Sequence, residues 1–235
     1  MLNVMINEKV KCSCEKCQLK SLFFTHVTVD QLSDICAIKQ ERSFVKGEII
    51  INEGDSINEF LYLKEGLVKL WKNLTNGKDQ IISFSKPFDY VSLLSVFSSE
   101  KYKYSVSAVE DSVVCILDLE TVKNYARQNA LFTMDLMTHV SGVTDKIVLD
   151  NLEIKRKNLK GRVAHVLLFF ANSIYEKDEF ELPVSRREIA EYIGMTPENV
   201  IRALSEFRKD NIIKIYGKDI LIADRKRLEN ISEFG

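Results

Sequence analysis

Glu198 and Arg202 stand four residues apart in "MTPENVIRAL". On a helix that spacing puts both side chains on one face. A guanidinium there can grip a guanine edge through two hydrogen bonds, and a carboxylate can accept from the N4 amino group of cytosine. The alternative is a surface ion pair worth about 0.2–0.5 kcal/mol. A second reactive set lies near the N-terminus, where "CSCEKC" holds Cys12, Cys14 and Cys17. Thiolates ligate zinc and iron–sulfur clusters, and three so close together call for an account beyond packing.

For Glu198 and Arg202 to act on DNA, a short helix must be held out from the body of the protein. The stretch "VSRREIAEYIGMTPENVIRALSEFRKDNII" has the parts to do this. Ser185 with Glu188 three residues later makes a capping box, which starts a helix over about 186–193. Gly194 can end it in a left-handed conformation. Thr196 is the next N-cap, and Pro197 follows at the first helical position, where a missing N–H costs nothing. A second helix then runs over about 197–209. Two short helices around a glycine-containing turn form a helix-turn-helix. Ile189, Ile193, Val200 and Leu204 supply facing apolar positions, and Ala190 is small where the backbones cross. An ordinary helical hairpin would share the apolar set; the caps, glycine and Thr-Pro together favour DNA binding. Thr196, Arg186 and Arg187 are the expected phosphate contacts.

Charge is unevenly divided. The whole chain is nearly neutral at −1, which by itself says nothing of nucleic acid. Residues 155–235 nevertheless hold 16 Lys and Arg against 13 Asp and Glu, while residues 1–154 hold 17 against 21. The basic bias sits in the half that would touch phosphates. No Gly-rich phosphate loop, paired His-Glu motif or nucleophile elbow occurs, so an enzyme is not expected. No apolar run approaches a bilayer span, and the N-terminus lacks a signal layout. A cytoplasmic chain with reduced thiols is expected.

The preceding chain supplies a scaffold. From about 43 to 117 short β-rich runs alternate with turns, Gly47, Gly54, Gly66 and Gly77 punctuate them, and "TNGK" reads as a hairpin turn. Many short strands with regular turns predict a barrel or double-sheet roll. "TVDQLSDICAI" before it reads as a short helix. A long helix is predicted over about 119–151, with Leu136, Val140, Val143 and Ile147 forming a heptad-like seam for a second subunit. A helix over about 159–175 precedes the helix-turn-helix. "IIKIYGKDILIA" after it reads as a wing hairpin, and "DRKRLENIS" as a last helical turn.

In that order these elements resemble the Crp/Fnr family of bacterial transcription regulators, most specifically in "SRREIAEYIGMTPENVIRAL", "IINEGD", "LYLKEGLVKL" and "GKDQIISF". The resemblance implies an α+β chain: an N-terminal double-stranded, jelly-roll-like β-roll, a long dimerisation helix and a C-terminal winged helix-turn-helix. The expected divisions are a Cys-bearing arm over 1–20, a cyclic-nucleotide-binding-like sensor roll over 21–118, the dimerisation helix over 119–154 and the DNA-binding domain over 155–235. It further implies a homodimer on a palindromic operator in double-stranded DNA, and RNA polymerase as a partner. Glu198 and Arg202 would read one G·C pair per half-site. The positions of Pro197 and Ile201 usually carry other side chains in the family. Pro197 has no polar group to offer, whereas Ile201 can touch a thymine methyl. A sensing module that works through protein contacts without specific DNA binding is the competing reading.

For the signal, the family's cyclic-AMP binders use a Glu and an Arg-Ser pair. Here Leu93 stands at the Glu position and no Arg-Ser occurs in "DYVSLLSVFSSEKYKYSVSA", so cyclic AMP is not expected. Lys101 and Lys103 are the cations left for an effector pocket. The family's oxygen-sensing branch holds a [4Fe–4S] cluster on three N-terminal cysteines and one later cysteine. Cys14 and Cys17 match its C-x-x-C, Cys115 matches the later position, and Phe23 replaces a ligand, while Cys12 is extra. Cys12, Cys14, Cys17 and Cys115 supply four thiols, the number a cubane needs. Zinc or haem are the other metal readings, although His26, His139 and His165 have no spacing partners. In "VVCIL", Cys115 can equally be a small buried hydrophobe. Cys36 is expected to be structural.

Overall fold

The computed structural model describes residues 35, 37–74, 77–87, 89, 91 and 93–235, with the side chain of Leu93 excepted. Cys12, Cys14, Cys17, Phe23, His26 and Cys36, and most of the predicted first helix, lie outside the described residues.

Among the described residues seven strands build the N-terminal part: β1 (Gln40–Phe44), β2 (Ile49–Ile51), β3 (Glu59–Glu65), β4 (Val68–Asn73), β5 (Asp79–Ser85), β6 (Ser105–Ala108) and β7 (Ser112–Asp118). They form two sheets, ordered β1-β7-β3 and β2-β6-β4-β5, and the short helix α1 (Leu93–Val96) interrupts them. Strands β3 and β7 are buried through their middles, with Phe60, Leu63, Val114 and Cys115 fully enclosed. Such strands read as continuous apolar runs rather than alternating ones, as expected for a sheet covered on both faces.

Helix α2 (Leu119–Gln128) follows, capped by Asp118, whose carboxylate accepts from the Thr121 N–H. Helix α3 (Ala130–Arg156) comes next. The uninterrupted helix predicted over 119–151 is therefore two helices, and no Gly or Pro divides them. Asn129 does so, in an extended conformation. Its N–H donates to the Tyr125 carbonyl at 2.9 Å, closing α2, and its side-chain oxygen accepts from the Phe132 N–H at 3.1 Å, capping α3. One residue serves as C-cap and N-cap at once, a side-chain competition with the backbone that periodicity does not register.

The C-terminal part contains α4 (Leu159–Phe169), a π-helical turn (Phe170–Ile174), β8 (Glu179–Glu181), α5 (Arg186–Ile193), α6 (Pro197–Lys209), β9 (Ile213–Tyr216), β10 (Asp219–Ile222) and α7 (Arg225–Phe234). The wing hairpin is present, and β8 adds a third strand in the order β8-β10-β9. The last helical turn read in the tail is a ten-residue helix. Asp224 caps it through the Arg227 N–H, and the fully buried Leu228 anchors it. The core holds Val163, Leu167, Phe170, Ile189, Ile193, Val200, Ala203, Phe207, Ile213 and Ile220, each 1% exposed or less. Truncating one of the larger side chains costs about 2–5 kcal/mol, whereas losing an N-cap costs about 1 kcal/mol. Packing therefore holds these helices, and caps decide where they begin and end.

The described chain divides into two compact units. One comprises the residues up to Leu70 with Phe84–Asp145; the other comprises Trp71–Ser83 with Lys146–Gly235.

Within the second unit His165, on α4, is half-buried. Burial lowers its pKa, Lys157 and Arg156 push the same way, and Asp150 and Glu153 oppose them. The fold thus favours neutral imidazole. As pH falls below about 6.5 the unfolded chain takes up a proton that the folded chain resists, so stability falls toward the lower folded pKa. His165→Gln is expected to flatten the decline of Tm between about pH 7 and pH 5. Thermal unfolding across that range checks this; an unchanged slope would place the acid sensitivity elsewhere.

Candidate nucleic-acid interface

Helix α5 begins as its residue types dictate. The Ser185 hydroxyl accepts from the Glu188 N–H at 3.1 Å, and the Glu188 carboxylate accepts from the Ser185 N–H at 2.8 Å. It ends at Gly194, whose φ of 67° is left-handed; any other residue but Asn would be strained there. The Gly194 and Met195 N–H groups both donate to the Ala190 carbonyl, so the turn folds back tightly and α6 can start at Pro197. Thr196 occupies the N-cap of α6 but makes no capping bond to its backbone.

The outward face of α6 carries Glu198, Ile201 and Arg202, all exposed, while Val200, Ala203, Leu204 and Phe207 are buried on the opposite side. Ile201 is 51% exposed, unusual for an isoleucine on a packed helix. A surface apolar side chain beside a cation and an anion is an arrangement suited to a base edge with a methyl group. The i,i+4 ion pair does not form. The nearness of its own backbone N–H, and then of the Thr196 hydroxyl, favours the Glu198 carboxylate and holds its pKa below the usual carboxylate range. Arg202 Nη2 donates to Asn199 Oδ1 at 3.1 Å. Asn199 thus holds the Arg202 guanidinium, a contact absent from the sequence-based expectations although its i,i+3 spacing from Arg202 could have pointed to it. Arg187 is exposed and lies 2.7 Å from Glu191, which raises its pKa. Arg186 is half-buried, and burial lowers its pKa. Both stand in the first turn of α5, where helix N–H groups and cations favour phosphate.

Residues 41–129 match the Cyclic nucleotide-binding domain family, and residues 161–231 match the Crp-like helix-turn-helix domain family. The chain is 26% identical to the fumarate and nitrate reduction regulatory protein of Yersinia pestis over 231 residues, covering 93% of this chain and 90% of that one. It is 27% identical to the transcriptional activator protein anr of Pseudomonas aeruginosa over 219 residues, covering 90% and 88%. The solved structure of FixK2 from Bradyrhizobium japonicum superposes with a TM-score of 0.74 at 27% identity, covering 83% of this chain and 97% of that one. This chain belongs to the Crp/Fnr family. It is a DNA-binding transcription regulator.

A Crp/Fnr regulator is expected to hold its signal in the N-terminal roll, and there the structure departs from expectation. Lys101 and Lys103 are both exposed, alternating with Tyr102 and Tyr104, which are buried. The period of two along an extended segment turns the tyrosines inward and the lysines out, so the two cations do not line an internal effector pocket. A cyclic phosphate needs an inward cation, and none of this stretch's described side chains provides one. Leu93 opens α1. The interior holds two hydroxyls that the sequence reading overlooked. Ser95 Oγ and Tyr104 OH lie close to each other, and neither makes a well-formed hydrogen bond among the described residues. Burial pushes the Tyr104 phenol up to about 12.

The fourth thiol is also differently placed. Cys115 is fully buried on β7, where it pairs across strands with Glu41 and Tyr62. Its Sγ donates to Glu41 Oε1 at 3.8 Å. The Glu41 carboxylate lies 3.3 Å from Lys39 Nζ and 3.0 Å from Lys64 Nζ. A cluster ligand must be a thiolate with iron beside it, whereas the contact described for Cys115 is that of a buried thiol donating to a carboxylate. Cys12, Cys14 and Cys17, with which it would share a cubane, lie outside the described residues. Among the described residues no group of three or more His, Cys, Asp or Glu side chains could hold a metal ion. His139 and His165 belong to no such group, and the haem and zinc readings gain nothing from them. Anaerobically purified wild type and Cys115→Ser are expected to carry the same iron per chain, measured by iron assay and absorption spectrum. Loss of iron in the variant would restore Cys115 as a ligand.

The residues of the predicted subunit seam are unequally buried on α3. Leu136 is 5% exposed, taken up inside its own chain, while Val140, Val143 and Ile147 are half-buried. The large exposed apolar side chains of this helix are Leu131, Met134, Met137, Val148, Leu149 and Leu152, each 50–60% exposed. The seam reading chose a real periodicity, but one face of this helix serves its own core and an adjacent face is bare.

Proposed function

We propose that this regulator works as a homodimer on a palindromic operator, with Glu198, Ile201 and Arg202 of each subunit reading base edges and Thr196, Arg186 and Arg187 contacting phosphates. The observation that carries this reading is the outward, unburied face of α6 beside a fully packed inner face. One short helix contacts few base pairs; two, about one DNA turn apart, read a palindrome and multiply specificity. The dimer contact runs along the bare stripe Met134, Met137, Ser141, Thr144, Val148 and Leu152, which recurs every three or four residues. Val140 and Ile147 flank it, and Leu136 does not contribute. Small side chains at Ser141, Gly142 and Thr144 let two helices approach closely at its middle. Exposed apolar stripes of this length mark interaction surfaces.

The signal enters through the N-terminal part, by redox chemistry at the arm thiols or by a small ligand in the roll other than cyclic AMP. A [4Fe–4S] cluster drawn from Cys12, Cys14 and Cys17 would need a fourth ligand other than Cys115 as it stands. The protein acts in the cytoplasm, where DNA and RNA polymerase, its second partner by family likeness, are found. Among the described residues no helix is long and apolar enough to cross a membrane.

Arg202→Ala is expected to weaken binding to a selected palindrome by about 1–3 kcal/mol and to relax one base position per half-site. Gel shifts on matched and substituted duplexes at several salt concentrations check it; equal loss on specific and random DNA would remove Arg202 from base reading. Val148→Asp is expected to give a folded monomer by sedimentation velocity at micromolar concentration. A dimer persisting in that variant would move the interface off α3.

A further inference from the structure

Three helix C-termini converge beside the joint between α3 and α4. The last carbonyls of a helix lack partners within it and carry the negative end of its dipole. Arg162, in the first turn of α4, reaches all of its nearest ones. Its Nε donates to the Lys157 carbonyl at 2.9 Å and its Nη2 to the Lys155 carbonyl at 3.2 Å, both at the end of α3. Its Nη1 donates to the carbonyl of Ile193, the last residue of α5, at 3.1 Å. Lys157 acts on the third helix. Its side chain is 3% exposed, and its Nζ donates to the Ser232 carbonyl near the end of α7 while lying 3.3 Å from Glu153 Oε2. Backbone contact closes the joint. A Cβ on Gly161 would stand 2.8 Å from the Gly235 carbonyl oxygen, nearer than a side chain tolerates.

Each terminal carbonyl of α5 has a donor within reach. Ala190 accepts from Gly194 and Met195. Glu191 and Tyr192 accept from Gln80 Nε2 at 2.6 and 3.4 Å, and Ile193 accepts from Arg162. An arginine suits three carbonyls spread over two helices, because its five donors are fixed in a planar fork; the three donors of a lysine radiate from one atom.

From this we infer that Arg162 is a positioning residue that sets which half-site spacing the regulator accepts, by fixing the direction of α5 and α6 relative to the end of α3. The inference rests on the dimeric reading above. In a dimer joined along α3, the separation of the two α6 helices depends on how rigidly each helix-turn-helix leaves its α3. Affinity for a paired site then depends on both halves fitting at once, and a loose joint spreads that fit over several spacings. Arg162 takes no part in reading DNA, so a single half-site is bound as before.

The test uses the full chain and a palindromic duplex selected from a randomised pool by the wild type. That duplex is compared with versions gaining or losing one base pair between half-sites, and with a single half-site. The wild type is expected to prefer its own spacing by about tenfold or more. Arg162→Met is expected to lower that preference to about threefold or less, with half-site affinity changed less than about twofold. Arg162→Lys, which keeps the charge but not the fork, falls between, and carries the test should the Met variant fail to fold. Retained spacing preference in a folded variant overturns the inference, as does a loss equal on paired and single half-sites. A wild type that binds paired and single half-sites alike overturns the dimeric reading, and this inference with it.

Discussion

A recognition helix must be bare on one side and immovable on the other, and the buried ridge of α6 satisfies the second requirement. Val200, Ala203, Leu204 and Phe207 are 2% exposed or less. Ala190 and Gly194 let α5 cross close enough to meet that ridge. Everything useful on the outer face depends on this anchoring. Glu198 and Arg202 are long, exposed side chains, and a hydrogen bond such as that from Arg202 to Asn199 is made in competition with water. Such bonds bias rotamers but cannot hold a helix in place. The inner packing does hold it.

The same division of labour appears at the helix ends. Caps and left-handed glycine determine where α5 stops and α6 starts, at little energetic cost. Arg162, Lys157 and Gln80 then take up the carbonyls that the caps leave. Cations are well suited to helix C-termini because the dipoles there are negative. Sharing two cations among three helices links elements that hydrophobic contact alone would let slide. The joint therefore transmits direction, which apolar packing does poorly because it is nearly indifferent to small rotations.

In the N-terminal part the deviations from expectation have separate causes. The two lysines of the expected effector pocket lie in the extended segment before β6, whose inward and outward faces alternate. A shift of one residue exchanges the two faces. Sequence position could place Cys115 on β7, but not beside Glu41, since that neighbour comes from a strand some seventy residues earlier, as the cross-strand register records. The buried hydroxyls of Ser95 and Tyr104 make the interior of the roll more polar than its sequence suggests.

Local chemistry made the helix-turn-helix legible from residues alone. The Ser185–Glu188 capping box, Gly194, Thr196 and Pro197 act within three or four residues, so their spacing is their structure, and the boundaries of α5 and α6 follow directly. The wing hairpin and the glycine-punctuated strands were legible for the same reason. What only the tertiary structure decided involves partners distant in sequence. Periodicity marked α3 as amphipathic, yet it could not tell which face Leu136 would bury in its own chain and which would stay bare. Asn129 as a helix break, β8 as a third wing strand, Asn199 behind Arg202 and Arg162 across three carbonyls depend on groups meeting in space. A spacing rule reports contacts along one element; contacts between elements exist only once the chain has folded.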